Sequence, residues 1–433
     1  MAEAKPAPDR RPRLGPRPLG LHLATAAMTW LSSAAALPLL RPSSPPSGSA
    51  PTVPRLWHAS LRAKAEALSR DLAGVDPEAL NRAVEREIRR RLDELERGIR
   101  GYQQHPYRRD LPPPPAVWAD GTTRLVDYGA VGRDGAGGMP LLVVPSLINR
   151  AYILDLSQRL SLMRTLAAQG FRPFLVDWAH PGPVERNFDL TAYIAGRLAA
   201  ALERTIALAG RPPVVIGYCM GGLLALALAQ LRPRDVAGLV LLATPWDFHA
   251  DKPENAKAVV NATRPWLPLF EAMGLMPVDV LQALFASLDP FQITRKFANF
   301  ARLDPASDRA EDFVALEDWL NDGVPLAAPV ARECLLGWYG ENTPARGRWH
   351  VAGTAIRPEI IDTPTLVVVP EQDRIVPPAS AHALARGLRR AEVLTPALGH
   401  IGMVSSRRAP QELWPALAAW LAARLATRNT GSL

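Results

Sequence analysis

From residue 122 onward, apolar residues come in short unbroken runs: TTRLVDYG (122–129), MPLLVVPSLI (139–148), FRPFLVDW (171–178), VVIGYC (214–219) and VAGLVLLAT (236–244). A late pair follows, TPTLVVVP (363–370) and AEVLTPAL (391–398). Between the runs the period lengthens. Leu190, Ile194, Leu198, Leu202 and Ile206 form one stripe of a helix over 189–209. Continuous Val/Leu/Ile strands alternating with helices predict an α/β fold whose mostly parallel sheet is covered on both faces. The stretch 245–345 breaks the alternation. It is Pro- and aromatic-rich with helical patterning, and it falls between two sheet strands, so it reads as an inserted cap.

Upstream the pattern is purely helical. Leu80, Val84, Ile88, Leu92, Leu95 and Ile99 mark one face of a helix over 76–101, with Asp76 suited to cap it and Pro77 to its first turn. Glu85/Arg89, Glu87/Arg91, Asp93/Arg97 and Glu96/Arg100 are opposite charges four apart. The run LPPPP (111–115) ends this region. Residues 1–18 are basic and Pro-rich and predict no packed structure. Residues 19–40 are apolar, but His22, the Thr/Ser positions, Pro38 and the high Ala content favour an interfacial or docking helix over a membrane span or signal peptide. Residues 41–54 read as a linker. The expected division is a tail, apolar helix and linker (1–54), a helical N-terminal region (55–120), a sheet core in two parts (121–244 and 346–433) and the cap (245–345).

Composition narrows the classes. In 433 residues, 48% are hydrophobic and 21% charged, values of a folded globular protein. Two cysteines, Cys219 and Cys334, argue against a disulfide framework and for the cytoplasm, and no zinc-type Cys/His spacing occurs. The net charge of +8 suits polyphosphates or anionic lipid, but no nucleic-acid-binding motif accompanies it.

The strongest local signal is Gly217-Tyr218-Cys219-Met220-Gly221-Gly222, between the strand VVI and the apolar helix LLALALA. That is the strand–turn–helix setting of a nucleophile elbow with Cys in place of Ser, and the helix N-terminus favours a thiolate. An elbow needs an acid and then a His later in the chain. Asp373 follows the strand TLVVVP, and His400 follows the next strand, in LGHIGMV. Asp362, Glu371 and Glu392 are rival acids; Asp362 precedes its strand and is expected at the wrong end, while Glu371 is the closer competitor. An oxyanion hole is expected from the Met220 N–H and a second N–H after VVPS, near Leu147 or Ile148. Cys334 reads as core, and Trp178, Trp246 and Trp319 as packing or cleft residues.

These motifs together resemble the polyhydroxyalkanoate synthases, especially the short, partner-dependent kinds, from residue 98 to 406. VPSLINRAYILDL (144–156), GYCMGG (217–222), DFVALEDWLNDGVP (312–325), PEQDRIVPP (370–378) and GHIGMV (399–404) carry the likeness. The N-terminal 100 residues match less well, and LLALA follows the elbow where many synthases have a Thr. The resemblance implies an α/β-hydrolase fold and a reaction. A 3-hydroxyacyl group would pass from coenzyme A to Cys219 and then to the hydroxyl of a growing polyester. His400 would activate the thiol and Asp373 would support His400 or the incoming hydroxyl. It implies no metal or redox cofactor, an accessory synthase subunit or a homodimer, and a polyester-granule surface as partners. A Cys-dependent hydrolase of esters, thioesters or lactones is the alternative. A non-catalytic granule protein of the same fold is a third, against which the intact Cys219, Asp373 and His400 stand.

Overall fold

The computed structural model describes residues 12–36, 59–72, 74–132 and 137–429. The 41–54 linker and the first part of the basic tail lie outside them. The chain divides into two compact units. The larger comprises Tyr107–Leu288 and Ala315–Leu433, and the smaller comprises the chain up to Pro106 together with Asp289–Val314.

The larger unit is built on an eight-stranded sheet. Its strands are β1 (Ala116–Asp120), β2 (Thr123–Asp127), β3 (Met139–Val144), β4 (Phe171–Asp177), β5 (Val214–Tyr218), β6 (Gly238–Leu242), β7 (Thr365–Val368) and β8 (Ala391–Leu394). They lie in the order β1-β2-β4-β3-β5-β6-β7-β8. The β1/β2 and β2/β4 pairs are antiparallel and the others parallel. Strands β3, β5 and β6 are buried at every position, as two-sided cover requires. Two apolar layers, one on each face, fill the space between sheet and helices.

Each strand run located from the sequence is a strand, but two boundaries change. Strand β3 stops at Val144, so Pro145–Ile148 is loop. The helical region expected to reach 120 ends earlier: Ala116–Asp120 forms edge strand β1, antiparallel to β2. Its burial pattern is mostly exposed, so it lacks the continuous apolar run of the inner strands. The stripe at 190–206 is also refined. Residues Ala192–Leu198 form a π-helix that continues into α-helix Ala199–Ala209, with Leu190, Ile194, Leu198 and Leu202 fully buried. The fixed four-residue spacing of that stripe suits a wider turn as well as a normal one.

Register fixes where the loops emerge. Val144 of β3 pairs with Gly217 of β5, and Tyr218 and Val368 both pair with Leu242 of β6. The carboxyl ends of β3, β5, β6 and β7 are therefore nearly level, and the segments that follow them meet at one edge of the sheet. Between β6 and β7 the chain forms helices Pro253–Thr263, Leu267–Met273, Val278–Leu288 and Asp308–Asn321, then the π-helix Glu333–Gly340.

The smaller unit contains α1 (Leu19–Ala36), α2 (Ala59–Asp71) and α3 (Pro77–Gln104), joined by the helix Gln292–Phe300. Asp76 caps α3 through the Glu78 and Ala79 N–H groups, as its position implies. Of the expected charge pairs, Glu87–Arg91 and Glu96–Arg100 form, and Arg90 bridges Glu87 and Glu94. Gly98 is the point of closest approach: a Cβ there would lie 2.0 Å from the Phe297 carbonyl oxygen. Tyr102 meets the Phe297 ring edge-on, and Phe300 stacks on Phe313 at 4.3 Å. Residues 12–18, part of the segment expected to be unpacked, are held against α3. Gly15 and Pro16 are buried, and Gln103 donates to the Gly15 carbonyl. Among the described residues no helix is long and apolar enough to cross a membrane.

Candidate active site

Cys219 sits at the turn between β5 and helix Met220–Leu231, with φ 57° and ψ −126°. A residue with a Cβ rarely adopts this conformation, and here the surroundings enforce it. Its N–H is drawn to the Leu242 carbonyl at 2.8 Å on β6. The helix behind it presses close to β3: a Cβ on Gly221 would lie 2.1 Å from the Val144 carbonyl oxygen. On Gly222 it would lie 1.8 Å from Thr244 Oγ1. The glycines are thus required by packing, and the result is a partly buried Cys219 at the carboxyl edge of the sheet.

Asp373 follows β7 and His400 follows β8, both buried. His400 Nδ1 and Asp373 Oδ2 are 2.7 Å apart. The other carboxylate oxygen, Oδ1, accepts the N–H groups of Ile375 and Val376, each at 2.8 Å. This network assigns the Nδ1–H tautomer and leaves Nε2 for the thiol. Tyr218, next to the nucleophile, donates its hydroxyl to the His400 carbonyl at 3.1 Å. The rival acids are elsewhere: Asp362 pairs with Arg389, Glu371 is exposed, and Glu392 takes Trp420 Nε1 and Arg424.

Burial alone would drive the proton off His400. Four influences more than reverse this: the Cys219 charge, the hydrogen bond to Asp373, the hydrogen bond to Cys219 and the Asp373 charge. Together they raise His400 to about 10. His400 is therefore held protonated through neutral pH, as an imidazolium beside Cys219.

The Met220 N–H opens the helix after Cys219 and has no backbone acceptor among the described residues. The Ile148 N–H, expected as the second oxyanion donor, is already engaged by Ser146 Oγ at 3.0 Å. Its neighbour Leu147 carries an N–H with no acceptor among the described residues. Serine two residues ahead of a backbone N–H forms this local turn readily. Farther along the same loop Asp155 is fully buried. It accepts from Tyr128, Ser161, Arg109 and Arg164, a fixed point that no short motif announces.

Cys334 lies in the core, where burial pushes its thiol well up. Trp178, Trp246 and Trp319 are buried as well. Among the described residues no group of three His, Cys, Asp or Glu side chains is disposed to hold a metal ion.

A Cys at a strained strand–helix turn, with His and Asp on the loops after later strands of the same sheet, defines an α/β-hydrolase-fold protein. A family described as alpha/beta hydrolase fold matches residues 140–406. Among curated proteins, the chain is 30% identical over 316 residues to the poly(3-hydroxyalkanoate) polymerase subunit PhaC of Allochromatium vinosum, covering 71% of this chain and 88% of that protein. It is also 30% identical over 322 residues to the subunit of that name from Haloferax mediterranei, covering 73% of this chain and 65% of that protein. Among solved structures, a thermophilic esterase from Thermogutta terrifontis aligns with a TM-score of 0.43 at 18% identity, over 71% of this chain and 97% of that one. The chain belongs to the poly(3-hydroxyalkanoate) polymerase family.

Proposed function

We propose that this protein polymerises 3-hydroxyacyl groups from coenzyme A thioesters into polyhydroxyalkanoate through a covalent thioester on Cys219. The observation that carries the reading is the His400–Asp373 pair, 2.7 Å apart, at the same sheet edge as the Cys219 turn in a member of the polymerase family. No metal or redox cofactor is needed for it.

In the acylation half, the Cys219 thiolate attacks the thioester carbonyl carbon. The carbonyl oxygen becomes an oxyanion facing the Met220 N–H and a second N–H from Leu147. Collapse breaks the bond to the coenzyme A sulfur, which leaves with the proton held on His400 Nε2. In the transfer half, a hydroxyl of the growing chain gives its proton to His400, and its oxygen attacks the acyl carbon. The Cys219 thiolate is expelled. Asp373 holds the imidazole in one orientation and stabilises its positive charge throughout. Burial of His400 and Asp373 limits water as a competing nucleophile.

Partners follow from the same reading. The relatives are named as subunits, so an accessory subunit or a second copy of the chain completes the active form. The basic surface meets the coenzyme A phosphates. Helix α1 exposes Leu21, Met28 and Leu31, an apolar row suited to the surface of a polyester granule.

The test is coenzyme A release from 3-hydroxybutyryl-coenzyme A, followed by sizing of the acyl product. Release with high-mass polyester, abolished in Cys219→Ala, supports the polymerase. Release with free hydroxy acid alone would instead make the protein a Cys-dependent thioesterase.

A further inference from the structure

The loop Pro145–Arg150 carries the second oxyanion donor, and it is fixed at both ends by indole N–H groups. At its start, Trp178 Nε1 donates to the Pro145 carbonyl at 3.1 Å. At its end, Trp319 Nε1 donates to the Arg150 carbonyl at 2.8 Å. Both rings are buried, at 6% and 5% exposure; the Trp178 bond is fully enclosed and the Trp319 bond partly so. Between the two anchors Asn149 has φ 67°, the left-handed region that Asn adopts more readily than other residues with a Cβ.

The two anchors come from different parts of the larger unit. Trp178 directly follows β4, so it belongs to the sheet. Trp319 lies in the helix Asp308–Asn321 of the cap insertion. Other cap residues close on the same point. Gln282 donates to the Leu320 carbonyl at 3.0 Å with Asn149 Oδ1 3.5 Å away, and Arg150 pairs with Asp322 at 3.4 Å. Gly323 makes room for this packing: a Cβ there would lie 2.5 Å from Val278 Cγ1 and 3.5 Å from Asn149 Oδ1.

We infer that Trp178 and Trp319 are positioning residues for acyl transfer, holding the Leu147–Ile148 backbone where the oxyanion forms. Trp319 makes that geometry depend on the cap. The inference rests on the reading of Cys219 as an acyl-accepting nucleophile. The indoles donate to the two carbonyls that bound the loop. They act through the loop, so their loss slows formation of the tetrahedral intermediate without changing the reactivity of Cys219 toward reagents that form no oxyanion.

Two rates measured on the same full-length variants separate these effects. One is single-turnover coenzyme A release at saturating 3-hydroxybutyryl-coenzyme A. The other is alkylation of Cys219 by iodoacetamide, a displacement at carbon that generates no oxyanion. In Trp319→Phe and in Trp178→Phe, release should fall by about tenfold or more while alkylation stays within about twofold of wild type. Replacing Trp319 with benzothienylalanine, which keeps the bicyclic shape but has sulfur in place of N–H, should reproduce the loss and so exclude a cavity effect. An unchanged release rate in the benzothienylalanine protein, or a parallel fall in release and alkylation, would overturn the inference. Failure of the underlying reading looks different: wild type would release no coenzyme A, or Cys219→Ala would release it as fast.

Discussion

Asp373 and His400 stand 27 positions apart in the chain and 2.7 Å apart in space, each at the carboxyl end of its own strand. The two oxygens of Asp373 have separate tasks. Oδ2 meets the imidazole, while Oδ1 is held by two backbone N–H groups of the loop that carries it. The carboxylate is thereby aimed before any substrate arrives, which is what a residue that orients a general base requires. Asp373→Asn keeps an acceptor for the backbone groups but loses the charge beside His400. Coenzyme A release should fall by about 10²–10⁴-fold with the thermal midpoint little changed. An Asn variant with full activity would remove Asp373 from the mechanism.

His400 titrates far from its ordinary range, and the direction matters. Its folded pKa lies above the reference value of 6.5, near 10. The stabilisation it brings is therefore complete below about 6.5 and is lost as pH rises through about 10. Cys219→Ala removes the thiolate, the largest of the raising influences. His400 should then release its proton at lower pH, as read by imidazole NMR. The variant should be less stable than wild type near neutral pH, and that deficit should shrink as pH rises toward the alkaline end of the window, where wild type loses the same stabilisation. A His400 titration unmoved by the substitution would mean that the ring does not sense the sulfur.

The elbow's two glycines face different obstacles. A Cβ on Gly221 meets the backbone carbonyls of Val144 and Pro145, which cannot yield without moving β3. A Cβ on Gly222 meets the Thr244 side chain. Gly221→Ala should therefore cost about 3 kcal/mol or more, and Gly222→Ala less, with Thr244→Ala restoring much of the second loss. Denaturant midpoints of the three variants decide this, and equal costs at the two sites would contradict the packing argument.

Gly98 plays the same part in the smaller unit, 2.0 Å from the Phe297 carbonyl oxygen once a Cβ is added. Gly98→Ala should push α3 away from the helix Gln292–Phe300 and expose the Tyr102–Phe297 contact. Hydrogen exchange should then quicken in residues 95–102 and 292–300 together. Protection lost in only one of the two segments would show that they do not fold as a unit.

Much of this was legible in the residues. GYCMGG read as an elbow because the strand VVI precedes it and a helix follows, and both glycines prove to be demanded by close packing. Asp373 and His400 were singled out from chain order and strand position, and they lie 2.7 Å apart. The edge strand Ala116–Asp120 was missed because an exposed edge lacks the apolar run of a buried strand. The Ile148 N–H was expected to be free; that Ser146 Oγ takes it depends on a turn with no signature beyond a single serine.

The sequence by itself determined the class: alternating apolar runs specify a parallel sheet covered on both faces, and the glycine-flanked turn between a strand and a helix specifies an α/β-hydrolase fold. These are local properties, set by period, by side-chain volume and by which residue follows a strand. Tertiary structure decided the rest. It chose Asp373 over Glu371 by burying one carboxylate against His400 and leaving the other exposed. It joined Asp289–Val314 to the N-terminal helices. It brought Trp178 and Trp319 to opposite ends of one loop. Such pairings depend on distances between residues far apart in the chain, and only the register of the strands and the packing of the helices fix those distances.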